Sequence, residues 1–188
     1  MTKRHSFMVA GVLVSGGWWS GCGAAHDAGS PAASVPSGLG DGQVLAIYNQ
    51  TNAFDIDTGQ LGGERGASEE VRALGRMVVA DHTAVLRRAS RLGAELGIAP
   101  ALPAERAHAA AEHERAMAEL RARTGAEFDR VYLRHEIRFH TDAIQAVRTL
   151  LIPATASSEL RQLMIDVLPG FQHHLDETVA AARTLGYE

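Results

Sequence analysis

The stretch AEFDRVYLRHEIRFHTDAIQAVRTLL, residues 126–151, decides the fold class. Its apolar residues recur three and four apart, so Phe128, Val131, Tyr132, Phe139, Ala143, Val147 and Leu150 share one face of a helix. Two polar residues break that face. Glu136 and His140 are four apart and therefore stack on one another among Tyr132, Phe139 and Ala143.

The same period continues on both sides of this stretch. It predicts helices over about 42–63, 68–97, 104–123, 126–151 and 158–185. The second opens on the capping pattern Ser68-Glu69-Glu70 and ends before Gly97. Pro100 and Pro103 separate it from an alanine-rich third helix closed by Thr124-Gly125. The fourth is expected to stop before Pro153, and Pro169 to kink the fifth near Leu168. No sustained alternation and no Asn-Gly or Asp-Gly turn suggests strands. The expectation is an all-α, up-and-down four-helix bundle with an additional shorter connecting helix, spanning residues 42–188.

On the second helix the core stripe reads Val71, Leu74, Val78, Val85, Ala89, Leu92 and Leu96; on the fifth it reads Leu160, Leu163, Val167, Phe171, Leu175, Thr178 and Leu185. These stripes are interrupted too: His82 falls on the first of them and His174 on the second. Asp55 lies seven after Tyr48 and four after Thr51 on the first helix. Every interruption falls well inside its helix, so in an up-and-down bundle all five approach one layer. His82, His140, His174, Glu136 and Asp55 are therefore the candidate ligands of a divalent transition metal. Imidazole with carboxylate suits zinc, copper or nickel. The competing reading is a metal-free polar network, with the carboxylates paired to arginine; there each unpaired group would cost ~1–3 kcal/mol.

Other histidines and acids rank lower. Glu105-x-x-His108 has a di-iron spacing but sits in a first helical turn, where Glu serves the helix dipole. His108 and His113 do not share a face, and His135 and His173 point to the side of their stripes. Asp81 is either a partner of His82 or solvated. No Gly-x-Ser-x-Gly and no phosphate-cradling glycine loop occurs, so neither a nucleophilic triad nor a phosphate site is supported, and an envelope enzyme ranks behind a binding or structural role. Gly59, Gly62, Gly63 and Gly66 mark close packing and the end of the first helix.

The rare residues concern the other end of the chain. Its single cysteine (Cys22), single lysine (Lys3) and both tryptophans (Trp18, Trp19) lie within the first 22 of 188 positions. Any metal in the bundle is thus held by His and carboxylate alone. Lys3 and Arg4, the uncharged run from Phe7 to Trp19, and Ser20-Gly21 before Cys22 read as a lipoprotein-type signal over 1–21. Cys22 would carry the lipid, although Trp19 stands where such signals usually have Leu; secretion with cleavage elsewhere is the alternative. Residues 22–41, rich in Gly, Ala, Ser and Pro, read as a flexible tether. Loss of Lys3 and Arg4 leaves 16 basic against 22 acidic residues, which argues against nucleic acid as a partner.

Several of these pieces together resemble a known family. They are Asp55-Ile-Asp57-Thr-Gly59-Gln-Leu61, Met77-Val-Val-Ala-Asp81-His82, Phe128-Asp129-Arg-Val-Tyr132 with Glu136-Ile137 and His140, and Leu168-Pro169-Gly-Phe171-Gln-His-His174-Leu175. In this order, over about 42–186, they resemble the bacterial ferritin-like "predicted outer membrane protein" family, domain of unknown function 4142. The resemblance implies an exported, ferritin-like helical bundle, and it selects His174 over His173 and His140 over His135. Asp55 stands where that family usually has Glu, and Glu136 where it usually has Gln. The di-iron ferritin pattern, four carboxylates and two Glu-x-x-His pairs from four helices, is not met: Glu136 and His140 are four apart, and the second helix offers no inward acid near His82; this argues against ferroxidase or storage chemistry.

The resulting expectation is an exported bundle, anchored to a membrane of the cell envelope (periplasm or outer membrane) by lipid on Cys22, with a metal site in its core. The alternative is a structural or interaction lipoprotein with a metal-free polar core. No particular protein partner is indicated.

Overall fold

A computed structural model describes residues 38–187; the signal, lipidation and most of the tether expectations fall outside them. The described residues are helical, without strands: α1 (Asp41–Arg65), α2 (Glu69–Glu95), α3 (Arg106–Arg121), α4 (Gly125–Ala146) and α5 (Ser158–Thr184). α4 continues through a π-helical segment, Val147–Leu151, and a last turn, Ile152–Ala154. α1 packs on α2, α2 on α5, α5 on α4 and α4 on α1, closing a ring of four, while α3 lies outside against α1 and α4. None of these helices is long and apolar enough to cross a membrane.

The ends of the helices are set by local chemistry. Ser68 Oγ accepts from Val71 N (3.3 Å) and Ser157 Oγ from Leu160 N (3.2 Å), as caps. Two buried or interfacial aspartates secure the loops at opposite ends. Asp129 accepts from the Ala67 and Ser68 amides, both at 2.8 Å, and Asp41 from those of Ala156 and Ser157 at 2.7 and 2.9 Å. α1 and α2 meet backbone to backbone: a Cβ added to Gly75 would lie 2.3 Å from Gly63 N and 2.5 Å from Gly59 O.

The expected boundaries hold to within a few residues, with three differences. Leu150, expected in the core, is 41% exposed and Leu151 is 2% exposed instead. The π segment adds a residue to the turn and so advances the buried face by one position. Helical structure also runs through Pro153 rather than stopping before it. That proline stands in the first turn of the segment restarting after the π turn, where its missing N–H is not needed. Leu96 caps α2 beyond its last packed turn and is exposed. Pro169 lies inside α5, as the sequence predicts. The carbonyl it frees, four residues back, belongs to exposed Ile165 and can be hydrated.

Two apolar clusters fill the bundle. One joins Leu45, Tyr48, Ala89, Val147, Leu160, Met164 and Phe171. The other joins Val71, Val78, Leu120, Phe128, Tyr132 and Ala182. In sequence they occupy opposite ends of the antiparallel helices. Between them lies a layer of buried polar residues: Asn52, Asp55, Thr58, His82, Glu136, His140, His174 and Thr178.

Candidate metal centre

Helix length brings the layer together. His82 is the middle residue of α2, and Asp55, His140 and His174 lie within about one turn of the middle of α1, extended α4 and α5. Antiparallel helices of similar length place their midpoints at one level. His82, His140 and His174 are each at most 2% exposed, and Asp55 and Glu136 are fully buried. One ligand atom from each of the three histidines fits within 4.8 Å of the other two, and the same holds for Asp55, Glu136 and His140.

The outer nitrogen of each ring has a partner that settles its proton. The Asn52 amide donates Nδ2–H to Tyr48 O (2.8 Å), so its Oδ1, 2.9 Å from His82 Nδ1, accepts from that ring. His174 Nε2 donates to Asp81 Oδ2 at 3.0 Å, and His140 Nδ1 to the Glu136 carbonyl at 3.1 Å. In the neutral rings His82 Nε2, His174 Nδ1 and His140 Nε2 therefore present lone pairs. The first two face each other at 3.1 Å, which only a shared proton or a cation makes favourable.

Asp55 completes the group. Its Oδ2 is 2.9 Å from His82 Nε2 and 3.2 Å from His140 Nε2. Both approaches miss hydrogen-bond geometry, leaving the Asp55 oxygens, both Glu136 oxygens and His140 Nε2 buried and without a hydrogen bond. No arginine forms an ion pair with either carboxylate among the described residues. A tetrahedral ion bound at about 2.1 Å holds its ligand atoms about 3.4 Å apart, so these spacings are close to those of a coordination shell. Buried His, Asp and Glu groups here are able to hold a metal ion.

The two carboxyls diverge. Burial raises Asp55, but the positive charge that His82 and His140 carry when protonated outweighs it and holds the group well below the usual carboxylate range. Glu136 is pushed far up by burial and then by the charge of Asp55 beside it. Burial likewise lowers His140 and His174, favouring the neutral rings that a metal requires.

The family comparison bears on the same residues. The sequence profile described as Domain of unknown function (DUF4142) matches residues 25–181. The chain belongs to this family. No curated protein and no solved structure matches it. All five candidate ligands lie within the span matched to DUF4142.

The structure thus brings all five sequence candidates together and leaves the lesser ones elsewhere. Glu105 and His108 are exposed, His108 paired with Glu112 at 3.1 Å. His173 is exposed beside Glu177. His135 is half-buried on a cleft between α3 and α4, its Nε2 unpartnered; burial takes it down to about 4. Asp81 serves His174 and not His82. Asn52 escaped the sequence reading, although Tyr48, Asn52 and Asp55 follow each other at spacings of four and three on one face.

Proposed function

We propose that this DUF4142 domain binds one divalent transition-metal ion (zinc, copper or nickel) through His82 Nε2, His140 Nε2, His174 Nδ1 and Asp55, with Glu136 alongside as a protonated neighbour. The observation that carries the reading is the set of three outer partners, Asn52, Asp81 and the Glu136 carbonyl. Each fixes an imidazole so that its free lone pair turns inward, the arrangement that orients histidine ligands around metals. Cysteine is absent beyond Cys22, which leaves imidazole and carboxylate as the ligand set.

The reading extends to the place of action. The chain is exported, anchored by a lipid on Cys22 and held off a membrane of the cell envelope by residues 22–41, so the bundle presents its metal outside the cytoplasm. Acyl labelling that persists in Cys22→Ser would contradict this part.

Metal content decides the central claim. Protein purified without a histidine tag is expected to carry, or to take up, one equivalent, with a rise in melting temperature on adding zinc or copper. Less than about one-tenth equivalent and no such rise would leave a metal-free polar network, in which His82→Ala and His174→Ala only destabilise the fold.

A further inference from the structure

We infer that the metal reaches the layer through a cleft between α2 and α5, and that Gly170 is there to keep this cleft open. The inference rests on the proposed metal site and adds its route of exchange. The cleft has a volume of about 260 Å³ and is lined by Asp81, His82, Ala84, Gly170 and His174, among others. Two of the three imidazoles thus border it, whereas His140, Asp55 and Glu136 do not line it. At about 30 Å³ per water, the space admits a cation with much of its hydration shell.

Gly170 has no other evident reason to be glycine. It lies within α5, where glycine costs about 0.5–1 kcal/mol relative to alanine. Its φ is not positive, so the backbone does not demand it. Nor does packing: a Cβ at Gly170 meets nothing within 4 Å, whereas one at Gly62 would lie 2.5 Å from the Tyr132 ring. A side chain at 170 would instead occupy the cleft that the residue lines.

Charge at the rim points the same way. The Asp81 side chain is 58% exposed yet holds His174 Nε2 at 3.0 Å, linking solvent to a ligand ring. Asp166, the other carboxylate on the cleft, is engaged by Arg88 and Gln162, both at 2.8 Å. An incoming cation therefore meets Asp81 first, His174 and His82 next, and His140 with Asp55 last.

Timed transfer of zinc from the loaded full chain to an excess of colorimetric chelator tests the route, with zinc content at equilibrium measured alongside. Gly170→Leu and Ala84→Leu should slow uptake and release alike by about tenfold or more while still binding one equivalent. Gly170→Ala gains the same helix propensity without filling the cleft and should stay within about twofold of wild type. Wild-type rates in both leucine variants, with zinc still bound, would overturn the route and leave the site standing. A wild-type chain that binds no zinc would overturn the site, and the route with it.

Discussion

His140 and His113 make the same contact in different surroundings. Each is a buried histidine whose Nε2 lies 3.2 Å from an aspartate Oδ2 of α1, Asp55 for one and Asp57 for the other. Two residues along a helix is a rotation of about 200°, so the aspartates face opposite sides. Asp57 is 53% exposed, its contact is a proper hydrogen bond, and the His113 ring stacks on Phe54 at 4.2 Å. Asp55 is wholly buried, and neither it nor His140 Nε2 has a hydrogen bond. A short His–Asp distance is therefore no sign of a metal site. What distinguishes His140 is an outer nitrogen already committed and an inner one left without a partner.

Substitution of the histidines on either side is the strongest way to break this contrast. His140→Ala, His82→Ala or His174→Ala should lower zinc affinity at least about 100-fold, whereas His113→Ala should leave it unchanged; equilibrium dialysis with elemental analysis measures both. Equal loss in His113→Ala would place the site on the wrong side of α1.

Thermal stability follows. Zinc at about 100 times its Kd should stabilise the protein by about 2.7 kcal/mol, or about 5–10 °C in melting temperature for a domain of this size. The rise should persist in His113→Ala and vanish in His140→Ala. Calorimetry with and without zinc reads the difference.

Outer partners sharpen the contrast further. Asn52→Leu removes the acceptor that orients His82 and should cost about 10–100-fold in zinc affinity, while Asp57→Asn, which alters the partner of His113, should cost none. The smallest expected effect is on the fold itself: His113→Ala should cost only about 1 kcal/mol in denaturant unfolding, since its aspartate remains solvated. A loss of several kcal/mol would mean that the α3 flank contributes much more to the fold than its exposed partner suggests.

Much of this was legible in the chain because helical period is local. The stripes on α2, α4 and α5 located the elements, and their interruptions at His82, Glu136, His140 and His174 located the layer. Leu150 was misplaced because one π turn, which no propensity signals, shifts the register so that Leu151 packs instead. Asn52 was missed because its importance lies in a partner 30 residues away, His82. Asp81 was left between a partner of His82 and a solvated residue, because its real partner, His174, lies on another helix.

By itself the sequence determined the all-helical class, the five candidate ligands of the polar layer and the exclusion of cysteine from it, since each depends on residue type and spacing along one helix. Only the tertiary structure decided how the nitrogens of each imidazole are partnered, that Asp55 and Glu136 lie side by side without an arginine, and that a cleft between α2 and α5 borders His82 and His174. Those depend on atoms brought within about 3 Å from four different helices, and spacing along a chain cannot specify them.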